Sequence, residues 1–251
     1  KYTTARTQFG KRISQFQNTQ FQLADMQARV DAARLLNIRG CSITIPHKID
    51  IIPLLDKTSE NVREMGACNT LYRDGEKICG ENTDVIGFTA PLRKRSLPPE
   101  TRVLVLGAGG VSRAAIAGLR RLGLANITLT NRRKERAEAL CNEFGLLCAP
   151  WEERGDVPAD LIINTTPLGM TGAQEHETPY PRAFQDNGIA YDLIYTPFQT
   201  RFLRDAAAAG WETVSGLDMF IGQGDAQFHL WTGHHLPEEA ITAVTSALYG
   251  Q

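Results

Sequence analysis

The 251-residue sequence has almost no net charge: 27 basic residues stand against 28 acidic ones, well mixed along the chain. No basic stripe argues for nucleic acid, and no charged block argues for a tail. No run approaches the roughly 20 apolar residues of a membrane span, and the first residues lack the charged-then-apolar order of a secretory leader. Cysteine is sparse. Cys41, Cys68, Cys79, Cys141 and Cys148 match neither C-x-x-C nor C-x-x-H spacing, so no metal site is expected. Their odd count fits poorly with a closed disulfide framework, and all five are expected to be buried thiols in a reducing, cytoplasmic compartment. What remains is a chain of 42% hydrophobic content, enough for one large domain or two modest ones. A small molecule is the expected partner, bound by a monomer or homodimer.

Residues 1–20 are polar and periodic in neither the helical nor the strand sense. From Phe21 the residues Leu23, Met26, Val30, Ala33 and Leu36 recur at helical spacing, and Gly40 ends the run. A short β-type run, Cys41 to Ile45, then meets Pro46, which reads as the first position of a helix. That puts Lys48 in a first helical turn, where the dipole disfavours a cation by a few tenths to about 1 kcal/mol. A solvated surface lysine is one reading. The other is a functional ammonium balanced by a carboxylate elsewhere.

The apolar residues after Lys48 suggest a helix shortened by Pro53, and Ser59 to Met65 a second one capped by Ser59. Two strands joined by Asp74-Gly75 read as a hairpin. Asp84 then opens a helix through Leu92, where a carboxylate caps favourably. Leu97-Pro98-Pro99-Glu100 reads as a linker between domains.

The apolar strand Arg102 to Leu106 leads into Gly107-Ala108-Gly109-Gly110-Val111-Ser112 and a helical run. This is a G-x-G-x-x-S variant of the dinucleotide fingerprint, in the strand-to-helix setting that the motif requires. At the end of the next strand a site for NAD would carry Asp or Glu. Here the chain reads Asn131-Arg132-Arg133-Lys134-Glu135-Arg136, a cationic cluster suited to a 2′-phosphate. NADP is therefore preferred to NAD. Strand and helix patterns alternate to Val214, as in a doubly wound parallel sheet. Two final helices, Gly216 to Trp231 and Pro237 to Tyr249, are expected to return to the first domain and brace it, with Gln223 facing the cleft.

Taken together, Ser42 to Lys48, Gly66-Ala67-Cys68-Asn69-Thr70, Gly80-Glu81-Asn82-Thr83-Asp84, Gly107 to Ala114, Asn131-Arg132, Asn164 to Met170, Tyr191 to Tyr195 and Gly216 to Gln223 resemble shikimate dehydrogenase motifs in the family's order. The resemblance runs from about Leu36 to the end. It implies an α/β protein of two domains, with a cleft between a substrate domain (1–96 plus 220–251) and a Rossmann-type NADP-binding domain (97–219). It implies reversible, NADP-dependent reduction of 3-dehydroshikimate to shikimate, with Lys48 and Asp84 as the catalytic pair. Thr44, Asn69, Tyr195 and Gln223 would bind substrate. Gly107, Ala108, Gly109, Gly110, Val111, Ser112, Asn131, Arg132, Arg133, Arg136, Thr165, Gly216 and Met219 would bind the cofactor. Ser42 replaces the family's usual asparagine, Asp218 stands where a small residue is common, and the family's N-terminal Ser-x-Ser-Pro turn is not found before Leu36. A paralogue acting on quinate or another cyclic hydroxy acid, and a non-catalytic ligand sensor, are the alternatives.

Overall fold

A computed structural model describes residues 7–8, 11–12, 38–44 and 46–249. The helical pattern from Phe21 to Leu36 lies outside these residues. The chain divides into two units, residues 1–41 and residues 42–251. In the first, strands Thr7–Gln8 (β1) and Lys11–Arg12 (β2) pair antiparallel, Thr7 opposite Arg12.

In the second unit the hairpin is as expected. Thr70–Asp74 (β5) and Lys77–Glu81 (β6) are antiparallel, and Gly75 takes the left-handed φ of +61° that the turn needs. The short strand Lys57–Thr58 (β4) lies parallel to β6. Strand Gly40–Ser42 (β3) leads into Ile43, whose N–H donates to Asn69 O at 2.7 Å. No α-helix follows Pro46. Residues 46–51 form successive turns and only Ile52–Leu54 coil, as a single 3₁₀ turn with Pro53 inside it. Pro53 cannot donate to the i−4 carbonyl, so the apolar run cannot extend as a helix. Ser59 does cap Glu60–Met65 (α1), its hydroxyl accepting from Val62 N at 3.2 Å.

The helix at Asp84 is Thr83–Arg93 (α2), and its cap is Asn82 rather than Asp84: Asp84 N donates to Asn82 Oδ1 at 3.1 Å. Two other helices pack along it. Gly110–Arg121 (α3) has Gly118 under the ring of Phe88, and Ala114 and Ala117 cluster with Val85. Therefore α2 and α3 run in the same direction with their N-termini at one end. Gly216–Thr232 (α6) crosses α2 in the opposite sense, bringing Gln227 to Thr83 and Gln223 to Gly87. A Cβ on Gly87 would stand 2.5 Å from Met219 O and 2.7 Å from Gln223 N, so only glycine permits this approach.

The six-stranded sheet is parallel throughout. Its members are Val103–Leu106 (β7), Ile127–Thr130 (β8), Leu147–Cys148 (β9), Leu161–Asn164 (β10), Ile189–Asp192 (β11) and Glu212–Val214 (β12). Their order is β9-β8-β7-β10-β11-β12, the doubly wound order with its switch point between β7 and β10. All four residues of β7 are buried, which explains the unbroken apolar run. One face packs Val103, Val105, Ile127 and Leu129 against α3 and Lys134–Phe144 (α4); the other packs Leu104, Leu106 and Ile162 against Arg201–Ala208 (α5). Burial of each such aliphatic side chain contributes about 1.5–3 kcal/mol before entropy is counted.

The final helix is Glu238–Tyr249 (α7). Its Tyr249 donates to Tyr195 O, and the ring lies 5.1 Å from that of Phe198, both in the segment after β11. The cysteines depart from the expectation of five buried thiols: Cys68, Cys79 and Cys141 are buried, but Cys41 and Cys148 are exposed. Cys148 lies on the short edge strand β9, whose residues are both exposed.

Candidate active site

The site is built on the first turn of α2. With Asn82 serving as cap, the carboxylate of Asp84 is left to other partners. Its Oδ2 lies 2.7 Å from Lys48 Nζ and its Oδ1 accepts from Asn69 Nδ2 at 2.8 Å. Both charged side chains are partly open to solvent, at 28% and 19%. Lys48 reaches Asp84 from a turn, held by Cys68 N donating to Lys48 O at 2.7 Å, so the expected conflict with a helix dipole does not arise.

Asn69, only 3% exposed, is the hinge of the arrangement. Its Oδ1 accepts from Thr83 N at 2.8 Å and from Thr70 Oγ1 at 2.7 Å, while Nδ2 also donates to Thr83 Oγ1 at 3.0 Å. An amide offers two N–H donors and two carbonyl lone pairs, and all are engaged within the protein. Thr44 is exposed nearby on the segment that Ile43 ties to Asn69, and its carbonyl accepts from His47 N at 2.9 Å. Gln223 is half-buried and accepts on Oε1 from Gln227 Nε2 at 3.2 Å. Gln227, which the motifs did not single out, also bonds to Thr70, Thr83 and Ser42. Its i+4 spacing from Gln223 was the available signal. Tyr195 is apart from this network. It is 42% exposed and stacks on Phe220 with ring centroids 5.0 Å apart.

At the same end of the parallel helices α2 and α3 lies the glycine loop. Gly107 has φ of +116°, and a Cβ there would collide with Thr165 Oγ1. Thr165 donates to Leu106 O at 2.8 Å, so the 2.7 Å contact with Ser112 has Ser112 donating, and Ser112 Oγ in turn accepts from Gly109 N at 3.0 Å. Ser112 and Thr165 thus pin the loops after β7 and β10 together across the switch point. A Cβ on Gly109 or Gly110 would meet nothing within 4 Å, leaving the loop open where a phosphate would approach. The amides of Gly110 and Val111 belong to the first turn of α3, whose N–H groups have no intrahelical partner.

Beyond β8, Asn131 Nδ2 donates to Arg133 O at 2.8 Å and shapes the turn into α4. Arg132, Arg133 and Arg136 are exposed, and among the described residues none is paired with a carboxylate. Open glycines, helix-end amides and unneutralised guanidinium groups together fit a dinucleotide bearing an extra phosphate. Gly216 is required by packing, since a Cβ would lie 2.5 Å from the Ile194 backbone. Met219 is 8% exposed, in the core cluster with Phe88 and Tyr191. Asp218 completes a capping box with Ser215, which accounts for a carboxylate at that position.

Below the switch point, Asp192 is wholly buried and accepts from Asn164 Nδ2 (3.0 Å), Ile194 N (3.0 Å) and Thr200 Oγ1 (2.6 Å). Burial pushes its carboxyl up to about 7 against the opposing effect of these bonds.

Residues 5–71 match a model described as the shikimate dehydrogenase substrate binding domain, residues 92–153 one described as shikimate/quinate 5-dehydrogenase, and residues 216–244 one described as the shikimate 5′-dehydrogenase C-terminal domain. The first match extends the likeness well before Leu36, where the quoted motifs had placed its start. Shikimate dehydrogenase (NADP(+)) of Pelobacter propionicus is 54% identical over 89% of this chain and 82% of its own length. That of Oleidesulfovibrio alaskensis is 49% identical over 86% and 78%. The structure of shikimate 5-dehydrogenase from Thermus thermophilus in complex with NADP(H) and shikimate aligns with a TM-score of 0.77 and 36% identity, over 90% of this chain and 85% of that one. The chain belongs to the shikimate dehydrogenase family.

Proposed function

We propose that the protein is an enzyme that catalyses the reversible, NADP-dependent reduction of 3-dehydroshikimate to shikimate. The observation that carries this reading is the 2.7 Å contact between Lys48 and Asp84 at the end of α2 that adjoins the glycine loop. NADPH, when bound, supplies the hydride. Gly107 to Ser112 and Thr165 would hold its pyrophosphate, Asn131, Arg132, Arg133 and Arg136 its adenosine phosphate, and Gly216 and Met219 would line its nicotinamide. Reduction of a ketone leaves negative charge on oxygen. Lys48 stabilises that charge and donates the proton as general acid, and in the reverse direction takes it back. Asp84 holds the ammonium in place, and Asn69 holds Asp84. Thr44, Gln223 and Tyr195 complete the substrate side, with Asn69 at its base.

In this reading residues 1–96 plus 220–251 form the substrate domain and residues 97–219 the cofactor domain. The enzyme works in the cytoplasm, as a monomer or homodimer, in the biosynthesis of chorismate and the aromatic amino acids, with no nucleic-acid or membrane partner. Incubating the purified protein with NADP or NAD and with shikimate or quinate, while following nicotinamide absorbance, tests it. Fastest turnover is expected for shikimate with NADP. Faster turnover of quinate, or of NAD, would replace the substrate or cofactor named here, and no turnover with any pair would sink the enzymatic reading.

A further inference from the structure

The hydrogen-bond directions around the site can be solved from two fixed points. Asp84 is a carboxylate and can only accept, so the group of Asn69 facing its Oδ1 at 2.8 Å is the NH₂. Thr83 N can only donate, so the group of Asn69 facing it at 2.8 Å is the carbonyl. Thr70 Oγ1, 2.7 Å from that carbonyl, must then give its single proton to it. Gln227 approaches Thr70 Oγ1 at 3.0 Å and must therefore present its own NH₂ there. The other N–H of that amide faces Gln223 at 3.2 Å and, less closely, Thr83 Oγ1 at 3.4 Å; a second NH₂ facing it would put donor against donor, so Gln223 offers its carbonyl. Ser42 Oγ, at 2.8 Å, donates to Gln227 Oε1 and closes the set. Gln227 is 7% exposed, so water does not readily substitute for these partners.

We infer that Gln227 is a positioning residue that fixes the amide of Gln223 with its carbonyl turned inward and its NH₂ toward the substrate. Gln223 then meets the substrate as a donor, recognising lone pairs of a hydroxyl. The orientation is transmitted from the charge on Asp84 through Asn69, Thr70 and Gln227, so the proton-handling and substrate-recognising residues share one chain of hydrogen bonds. Ser42 supplies the proton that the Gln227 carbonyl needs. The inference rests on the proposed function and specifies how that site recognises its substrate.

The test is steady-state kinetics on Gln227→Met, Gln223→Ala and the double variant, with melting curves to confirm folding. Loss of one or two orienting bonds is expected to raise KM for shikimate about 5- to 20-fold. Turnover and KM for NADP should stay within about twofold, which general loosening of the fold would not give. In the Gln223→Ala background the Gln227→Met change should add less than about twofold, because the group it orients is gone. An unchanged KM, an equal factor in both backgrounds, or a fall in turnover alone would overturn the inference. Should Gln227→Met fail to fold, Ser42→Ala carries the test with an expected rise of about 2- to 5-fold in KM, again absent without Gln223. A wild type inactive on shikimate overturns the functional reading and this inference with it. An active wild type with unaffected variants overturns the inference alone.

Discussion

Asp84 and Asp192 are both carboxylates at the end of a structural element, and their surroundings assign them different work. Asp84 is partly solvated and faces Lys48 and Asn69. Asp192 faces only neutral donors in a site closed to water, and burial raises its carboxyl to about 7. The unfolded value is about 3.9, so between about pH 4 and 7 the native state keeps a proton that the unfolded chain has lost. That contribution to stability is full below about pH 4 and disappears as pH rises through about 7. The melting temperature of the wild type should therefore fall between pH 5 and 8 more steeply than that of Asp192→Asn; parallel curves would contradict the assignment. Lys48 and Asp84 were legible in the sequence as members of ordered motifs. Their local reasons were not: the lysine lies in a turn and Asn82 takes the cap, because Pro46 and Pro53 frame too short a segment for a helix and Asn82 caps as well as Asp would.

Among the elements, α2 decides where the site lies. It is buried on nearly every side, so it shows little helical amphipathicity, and its neighbours are set by glycines. Gly118 admits Phe88 from one side, and Gly87 admits the α6 backbone from the other. A methyl group at position 87 would collide with main-chain atoms that cannot rotate away. Gly87→Ala is therefore expected to cost about 1–3 kcal/mol of stability by overpacking and to raise KM for shikimate by moving Gln223, while cofactor affinity is retained. Unfolding in urea together with substrate titrations checks both parts, and a neutral effect on both would refute the close crossing. The parallel sheet, by contrast, was readable almost strand by strand. Continuous apolar runs such as Val103 to Leu106 belong to strands covered on both faces, and the Asp74-Gly75 turn specified the hairpin. The two-residue strand Leu147–Cys148 escaped notice because an exposed edge carries no periodicity.

For the molecule as a whole, the proposed function needs two chemistries to converge at one end of α2 and α3: a proton from the Lys48 side and a hydride from a cofactor that the α3 side would hold. The arginines after β8 bear on which cofactor that is. With no carboxylate partner among the described residues, they are available to a phosphate. Replacing Arg132 and Arg133 together by alanine should weaken NADP at least about tenfold while changing NAD little, since only NADP carries the extra phosphate; equal weakening of both would refute the site. The convergence itself is tested most directly by the initial rate of NADP reduction with saturating shikimate, measured for the wild type and for Lys48→Ala alongside NADP affinity. Turnover is expected to fall at least about 100-fold with NADP affinity unchanged, as for loss of a general acid and base. Turnover that survives the loss of the ammonium would contradict the role of Lys48, and with it the proposed centre.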